Sequence, residues 1–155
     1  MRATLTRRIT FSAAHRYRRP EWSDARNTEV FGACAWPNWH GHTYVCDVTV
    51  GGEIDPLTGF CVDLGALDAV LRDDVVARLD HRNLVLDVPE FAEGKLIPTT
   101  ENIAAWIARV VQAGLEARQR AAATAAPAAR VERVRVAEEP GLWAEVVPVA
   151  STDAA

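Results

Sequence analysis

The chain lacks several features that would fix its class at once. Its three cysteines, Cys34, Cys46 and Cys61, are an odd number in 155 residues, so a complete set of disulfides within one chain is impossible, and we interpret them as reduced thiols. No apolar run approaches the roughly 20 residues that cross a bilayer, and the Arg-dotted first ten residues contain no hydrophobic signal segment. The sequence therefore predicts a protein that neither spans a membrane nor is secreted, and we expect it in the cytoplasm.

A basic excess is missing too. The chain has 17 Lys and Arg residues against 21 Asp and Glu residues, a net charge of −4, whereas proteins that bind nucleic-acid backbones usually carry a positive surplus. Nucleic acid is therefore disfavoured as the main partner. With 49% hydrophobic and 25% charged residues, the length fits one globular domain with its own core, and we expect a single domain over 1–155.

Histidine is scarce, and the positions of three of the four histidines suggest two strands. From Thr4 to His15, odd-numbered residues share one face of a period-two pattern. From His40 to Val50, the even-numbered residues do the same, and His40 and His42 lie on that mostly apolar face. Between the strands, residues 16 to 39 read as a long irregular loop, which is often functional.

The second half of the chain predicts two helices and a hairpin. Asp63 can cap a helix from about 63 to 79, and the Thr99-Thr100-Glu101 segment suits the start of a helix from about 101 to 120. The Ala-rich segment 121–129, broken by Pro127, is either a linker or a short continuation of that helix. Two further strands are expected at 130–137 and 142–149. The order ββααββ predicts an α+β domain, with a four-stranded antiparallel sheet carrying two helices on one face.

Pairing of the first two strands would bring three imidazoles together. In an antiparallel pair the end of the first strand, His15, lies beside the start of the second, His40 and His42. Residues two apart on a strand have Cα atoms about 6.5 to 7 Å apart, so both side chains can reach one ion. Three neutral nitrogens with one open position are the ligands of a catalytic zinc. Core histidines with satisfied hydrogen bonds are the alternative interpretation.

The cysteines divide into one candidate and two core residues. Cys34 lies six residues before His40 and could be a metal ligand, a nucleophile or a base. We favour a thiolate base beside the metal, because a fourth protein ligand would close the site. Cys46 and Cys61 lie among apolar neighbours and are interpreted as small buried hydrophobic residues.

Two further motifs carry carboxylates. Asp80 and His81 are adjacent and are either a surface cap or an acid-base unit, which spacing alone does not decide. Glu138 shares strand parity with Val134 and Val136, so its carboxylate ends an otherwise apolar face and needs a partner. A planar ligand with two adjacent N–H donors would satisfy it. Alternatively, Glu138 turns outward into the turn that follows.

Taken in order, six motifs resemble the 6-pyruvoyl-tetrahydropterin synthase family over residues 5 to 147. They are Phe11-Ser-Ala-Ala-His15, Cys34-x5-His40-Gly-His42, Gly52-Glu-Ile-Asp-Pro, Leu79-Asp-His-Arg-Asn-Leu84, Pro98-Thr-Thr-Glu-Asn102 and Val136-Ala-Glu138. The chain departs from the family pattern at Trp36, Trp39 and Thr43, and at Glu139.

The resemblance implies the tunnelling fold (T-fold), in which trimers close their sheets into a barrel and two trimers stack into a homohexamer. It implies that His15, His40 and His42 bind Zn²⁺ and that Cys34 is the catalytic base. Asp80 and His81 would complete a triad with Cys34, across a subunit interface. Glu138 would anchor the pterin, and the remaining pocket residues would be Thr99, Thr100 and Glu101.

Three functional hypotheses follow from the resemblance. The first is a lyase that converts 7,8-dihydroneopterin triphosphate to 6-pyruvoyl-tetrahydropterin with elimination of triphosphate, which the x5 gap between Cys34 and His40 favours. The second is a 6-carboxy-tetrahydropterin synthase of queuosine biosynthesis, which acts on the same substrate. A shorter x3 gap between the cysteine and the His-Gly-His motif resembles those enzymes. The third is a non-catalytic module that binds zinc or pterin and has an unreactive Cys34.

Overall fold

Two long antiparallel strands form the centre of the molecule. The computed structural model describes residues 1–122 and 129–148. In it β1 (Arg2–His15) pairs with β2 (His40–Glu53) along their whole lengths, and His15 lies opposite His40. The predicted alternation is confirmed, because odd residues near the end of β1 and even residues of β2 from Tyr44 onward are buried. The sheet therefore places the three histidines at one end of one strand pair.

The sheet has five strands in mixed orientation, so the prediction of four antiparallel strands was wrong. The additional strand β3 (Arg82–Asn83) runs parallel to β1 beside Ala13 and Ala14. On the other side of β2, β4 (Arg130–Glu139) and β5 (Leu142–Val146) add in antiparallel orientation, giving the order β3-β1-β2-β4-β5. The short β3 forms because the backbone N–H of His81 donates to the Ser12 carbonyl at 2.6 Å, which directs the chain along the edge of β1.

Both predicted long helices are present. The first, α2, consists of the α-helical segment Leu64–Val70, a π-helical turn Leu71–Val76 and the α-helical segment Ala77–Leu79. Its cap is Asp63, whose carboxylate accepts from the Ala66 N–H at 3.0 Å. The fourth helix, α4 (Thr100–Ala121), is capped by Thr99. A short α3 (Leu84–Asp87) lies between them.

The loop expected over residues 16 to 39 contains a helix that the sequence analysis missed. Here α1 (Asp24–Phe31) is followed by a 3₁₀ turn, Gly32–Ala35. Its cap is Ser23, and the buried Asn27 side chain accepts from the Arg19 N–H and donates to three backbone carbonyls of the preceding turn. Side chain to backbone bonds therefore order this segment.

One apolar core joins the sheet to α2 and α4. Its largest fully buried members include Tyr44, Phe11, Phe91, Leu67 and Ile103. The helix α4 ends at Ala121, and the rest of the Ala-rich segment, 123–128, lies outside the described residues. Among the described residues, none of the helices is long and apolar enough to cross a membrane.

Candidate metal centre

The three histidines that the sequence singled out converge on one point. One ring nitrogen from each of His15, His40 and His42 lies within 4.8 Å of the others. The Nε2 atoms of His15 and His40 are 3.0 Å apart, close to the roughly 3.3 Å that separates two nitrogens on a tetrahedral zinc with bonds of about 2.0 to 2.1 Å. The group therefore has the spacing of a metal-binding set.

His15 is held so that one nitrogen faces the other histidines. Its Nδ1 lies 3.1 Å from the Pro98 carbonyl and 3.1 Å from the Tyr44 hydroxyl. Since a carbonyl can only accept, Nδ1 carries the hydrogen, and Nε2 keeps a free lone pair. A metal-binding histidine is commonly oriented by such a bond on its other nitrogen.

Burial favours the neutral form of two of these rings, His15 and His40. Desolvation first, and then the charges of His40 and His42, lower the pKa of the fully buried His15 from 6.5 to about 4, although the Pro98 carbonyl acts in the opposite direction. The pKa of His40 is also lowered, first by desolvation and then by His42. Only neutral imidazole binds a metal, so His15 and His40 favour the form that can bind a cation. Three imidazole nitrogens and no carboxylate fit zinc better than magnesium or calcium.

Cys34 lies in the 3₁₀ turn after α1 and is partly buried. Its carbonyl accepts from the Tyr17 N–H at 2.8 Å, which fixes the turn against the end of β1. Desolvation and the negative charge of Glu138 raise the pKa of the Cys34 thiol. The thiol therefore lies within electrostatic range of Glu138, and a nearby cation would favour its thiolate form at neutral pH.

Glu138 points inward from the end of β4, and its carboxylate accepts from the Thr100 hydroxyl at 2.9 Å. Thr100 is buried in the first turn of α4, directly after the cap residue Thr99. Glu101 is exposed, and its charge reaches Tyr17, as do those of Glu138 and Cys34. The predicted pocket residues therefore lie together, although Thr99 serves first as a helix cap.

Asp80 and His81 form a pair at the β3 edge of the sheet. Their Oδ2 and Nδ1 atoms are 2.9 Å apart, and the Ser12 N–H donates to Asp80 at 2.8 Å. The Ser12 bond first, and then His81, lowers the pKa of Asp80. The His81 side chain is 84% exposed, and no hydrogen bond connects the pair to Cys34 in the part of the chain that the structure describes.

Two tyrosines belong to the site, and the sequence analysis did not assign them. The Tyr44 hydroxyl contacts His15, and the Tyr17 ring packs edge-on against the His15 ring at 4.9 Å. Burial raises the pKa of both phenols, so they stay protonated. Tyr44 shares strand parity with His40 and His42, which was an available signal. Tyr17 and the Pro98 carbonyl gave none.

The other two cysteines differ from each other. Cys46 is fully buried in the core, as predicted, and desolvation raises its pKa to about 12. Cys61 is only partly buried, and it packs against the edge of the core. Its backbone packs against Gly52, where an added Cβ atom would clash with the Cys61 carbonyl oxygen. That contact explains why Gly occupies position 52.

Comparisons with known proteins identify relatives of this chain. The family described as 6-pyruvoyl tetrahydropterin synthase matches residues 4–148. The 6-pyruvoyl tetrahydrobiopterin synthase of Homo sapiens is 47% identical over 105 residues, covering 68% of this chain and 71% of the human one. The structure of the Caenorhabditis elegans 6-pyruvoyl tetrahydropterin synthase superposes with a TM-score of 0.83 at 32% identity, covering 96% of this chain and 97% of the other.

A relative with a different printed activity is also similar. The dihydroneopterin monophosphate aldolase of Pyrococcus furiosus is 36% identical over 117 residues, covering 74% of this chain and 80% of that protein. Because the family model matches nearly the whole chain, this chain belongs to the 6-pyruvoyl tetrahydropterin synthase family.

Proposed function

We propose that this protein converts 7,8-dihydroneopterin triphosphate to 6-pyruvoyl-tetrahydropterin and releases triphosphate. The observation that carries the proposal is the convergence of three histidines in a chain of this family, with the charge of Glu138 acting on both His40 and Cys34. Atoms balance without an external redox cofactor, because the side chain is oxidised while the ring is reduced. The protein is then a carbon-oxygen lyase that acts on a phosphate ester, working as one domain in the cytoplasm.

In this proposal His15, His40 and His42 would hold a zinc ion. When bound, zinc polarises the oxygens of the substrate side chain and acidifies the neighbouring C–H bonds. The Pro98 carbonyl keeps the hydrogen of His15 on Nδ1, so that Nε2 faces the ion.

Cys34 is the proposed base. The charge of Glu138 acts on both the Cys34 thiol and His40, and in this proposal the Cys34 thiolate takes a proton from the substrate side chain. The raised pKa of the thiol means that it holds its proton in the metal-free chain. A positive charge beside it favours the thiolate, which is the form that accepts protons.

Glu138 is the proposed anchor for the pterin ring. A carboxylate accepts two N–H donors side by side, and a pterin presents its 2-amino group and a ring N–H in that arrangement. The Thr100 hydroxyl already occupies Oε2 at 2.9 Å, which orients the carboxylate before the ligand arrives. Thr99 and Glu101 complete the pocket in this proposal.

Asp80 and His81 are proposed to serve the Cys34 of a neighbouring subunit. Their exposed position at the edge of the sheet supports this, since His81 is free to meet another chain. We accordingly propose the homohexamer, a dimer of trimers whose sheets close into barrels. The active site would then contain residues of two chains.

A single assay tests the function. Purified protein loaded with zinc should convert 7,8-dihydroneopterin triphosphate to 6-pyruvoyl-tetrahydropterin, identified by mass spectrometry of the product. A 6-carboxy product would favour the second hypothesis, and a shortened side chain would indicate an aldolase. Binding of pterin without turnover would favour the non-catalytic module.

Two variants assign the roles in the same assay. His40→Ala should lose most of its zinc, because two nitrogens bind the ion far less tightly than three. Cys34→Ala should keep its zinc and its pterin affinity but lose turnover. Loss of zinc from Cys34→Ala would instead make the thiolate a metal ligand.

A further inference from the structure

A groove opens beside the metal centre, between the end of β1 and the segment before α4. It encloses about 100 Å³, and Arg16, Trp39 and Lys95 are among its lining residues. Arg16 follows His15 directly, and Trp39 directly precedes His40. Pro98, whose carbonyl contacts His15, also lines it. The groove therefore lies beside the residues that flank two of the histidines, and Pro98 contacts both the groove and His15.

Two cations of the groove are not neutralised. Arg18, also in the lining, is paired with Asp24 at 2.6 Å and with Glu93 at 3.2 Å. Arg16 and Lys95, by contrast, have no carboxylate within 4.0 Å among residues 1–122 and 129–148. Most of the other arginines in those ranges do have such a partner. The groove therefore presents two free positive charges next to the metal centre.

Arg16 is held in place by an aromatic ring. Its guanidinium lies 4.9 Å from the centre of the Trp39 ring, a contact that orients the cation without cancelling its charge. A stacked guanidinium keeps its edge N–H donors free for an anion. Arg16 is thus a positioned cation with open hydrogen-bonding capacity.

Trp39 has an uncommon backbone conformation. Trp39 has a φ of 57°, and among the described residues only His81 is another non-glycine residue with positive φ. This left-handed region favours glycine, and a bulky residue is retained there when its surroundings hold it. The cation–π contact with Arg16 is one of the contacts that hold Trp39 in this conformation.

We infer that Arg16, held by Trp39, and Lys95 bind the phosphate chain of the substrate. The inference rests on the proposed function, since it assigns the second end of the same substrate. Glu138, the proposed partner of the pterin ring, is not among the lining residues, which leaves the groove for the other end. Arginine binds phosphate oxygens in bidentate fashion, and lysine adds a point charge.

A matched pair of ligands isolates this contact. Neopterin and neopterin triphosphate differ only in the phosphate chain, and their dissociation constants are measured by fluorescence titration. The wild-type protein should bind the triphosphate more tightly. In Arg16→Gln that preference should fall roughly tenfold, in keeping with the loss of a charge-assisted hydrogen bond, while the affinity for neopterin stays the same. Lys95→Gln and Trp39→Leu should show smaller losses of the same kind.

The control is Arg19→Gln, which removes the same charge from an exposed arginine paired with Glu21 and outside the groove lining. Its preference for the triphosphate should remain at the wild-type value. Equal preferences in Arg16→Gln and Arg19→Gln would overturn the inference. Failure of the proposed function gives a different result, in which the wild-type protein neither binds neopterin nor turns over dihydroneopterin triphosphate.

Discussion

His15 is fully buried. Its Nδ1 is bonded to the Pro98 carbonyl, and its Nε2 faces the Nε2 of His40. The sequence predicted its neighbours His40 and His42, because strand parity and antiparallel pairing together place them. It did not predict the Pro98 carbonyl, which is a backbone group from a segment 83 residues away. Alternation can assign a side chain to a face, whereas the partner that fixes a tautomer depends on loop geometry that no local pattern encodes.

The Cys34 thiol should titrate differently with and without zinc. Because burial and Glu138 raise its pKa above the ordinary 9.0, alkylation of metal-free protein by iodoacetamide should be slow at neutral pH and reach half its maximal rate above pH 9.0. Zinc should move this midpoint to lower pH by favouring the thiolate. Mass spectrometry of the modified peptides measures both profiles.

Cys46 supplies the internal comparison. It is fully buried with a pKa of about 12, so it should stay unmodified in both samples until the protein unfolds. An identical Cys34 profile with and without zinc would show that the thiol is not beside the metal.

Glu138→Gln should weaken pterin binding without changing zinc content. The substitution keeps the shape but turns one acceptor into a donor that faces a donor, so neopterin affinity should fall by roughly 1.5 to 3 kcal/mol. Calorimetry measures the affinity, and Glu139→Gln is the matched control because Glu139 is the exposed neighbour on the same strand. Equal affinities in the two variants would remove Glu138 from the pterin site.

At the scale of elements, the patterns that predicted correctly were long ones. Fourteen-residue strands and a 22-residue helix repeat their period often enough to stand out. The missed elements were short: α1 has eight residues with one buried side chain, Asn27, and β3 has two residues. Their order comes from Asn27 and from the Ser12 to His81 hydrogen bond, so hydrophobic periodicity had nothing to detect.

At the scale of the molecule, β1 has a long open edge. The strand β3 covers only Ala13 and Ala14, which leaves the edge of β1 before Ala13 without a partner strand in the described chain. An open edge of that length invites pairing with another chain. Closure of a trimeric barrel, as proposed, would cover this edge and that of β5 together.

Sharing of the active site between subunits can be tested by mixing. Cys34→Ala and His81→Ala should each be inactive alone, because each lacks one part of every site. Mixed, unfolded and reassembled together, they should regain about a quarter of wild-type activity, since random pairing restores one complete site in four interfaces. Mixed Cys34→Ala and Asp80→Ala should behave alike. Absence of recovery despite proven subunit exchange would show that one chain carries the whole triad.

The π-helical turn in α2 adds one residue to this helix compared with a regular α-helix. In a regular α-helix Leu79 would point about 120° away from Leu67, yet both are fully buried. The wide turn Leu71–Val76 contains one residue more than an α-helical turn, and this extra residue brings Leu79 back to the core. A regular helix that is one residue shorter would therefore also bury Leu79.

Removal of one exposed residue from that turn should therefore be tolerated. A variant lacking Asp73 would bring Leu79 to about 20° from Leu67 in a regular helix, so its melting temperature should stay within about 5 °C of the wild type. Deletion of the exposed Arg109 from the regular helix α4 should instead unfold the protein, because Val111 and Leu115 would rotate out of the core. Both deletions remove one exposed helical residue, but only the deletion of Asp73 should leave the fold intact.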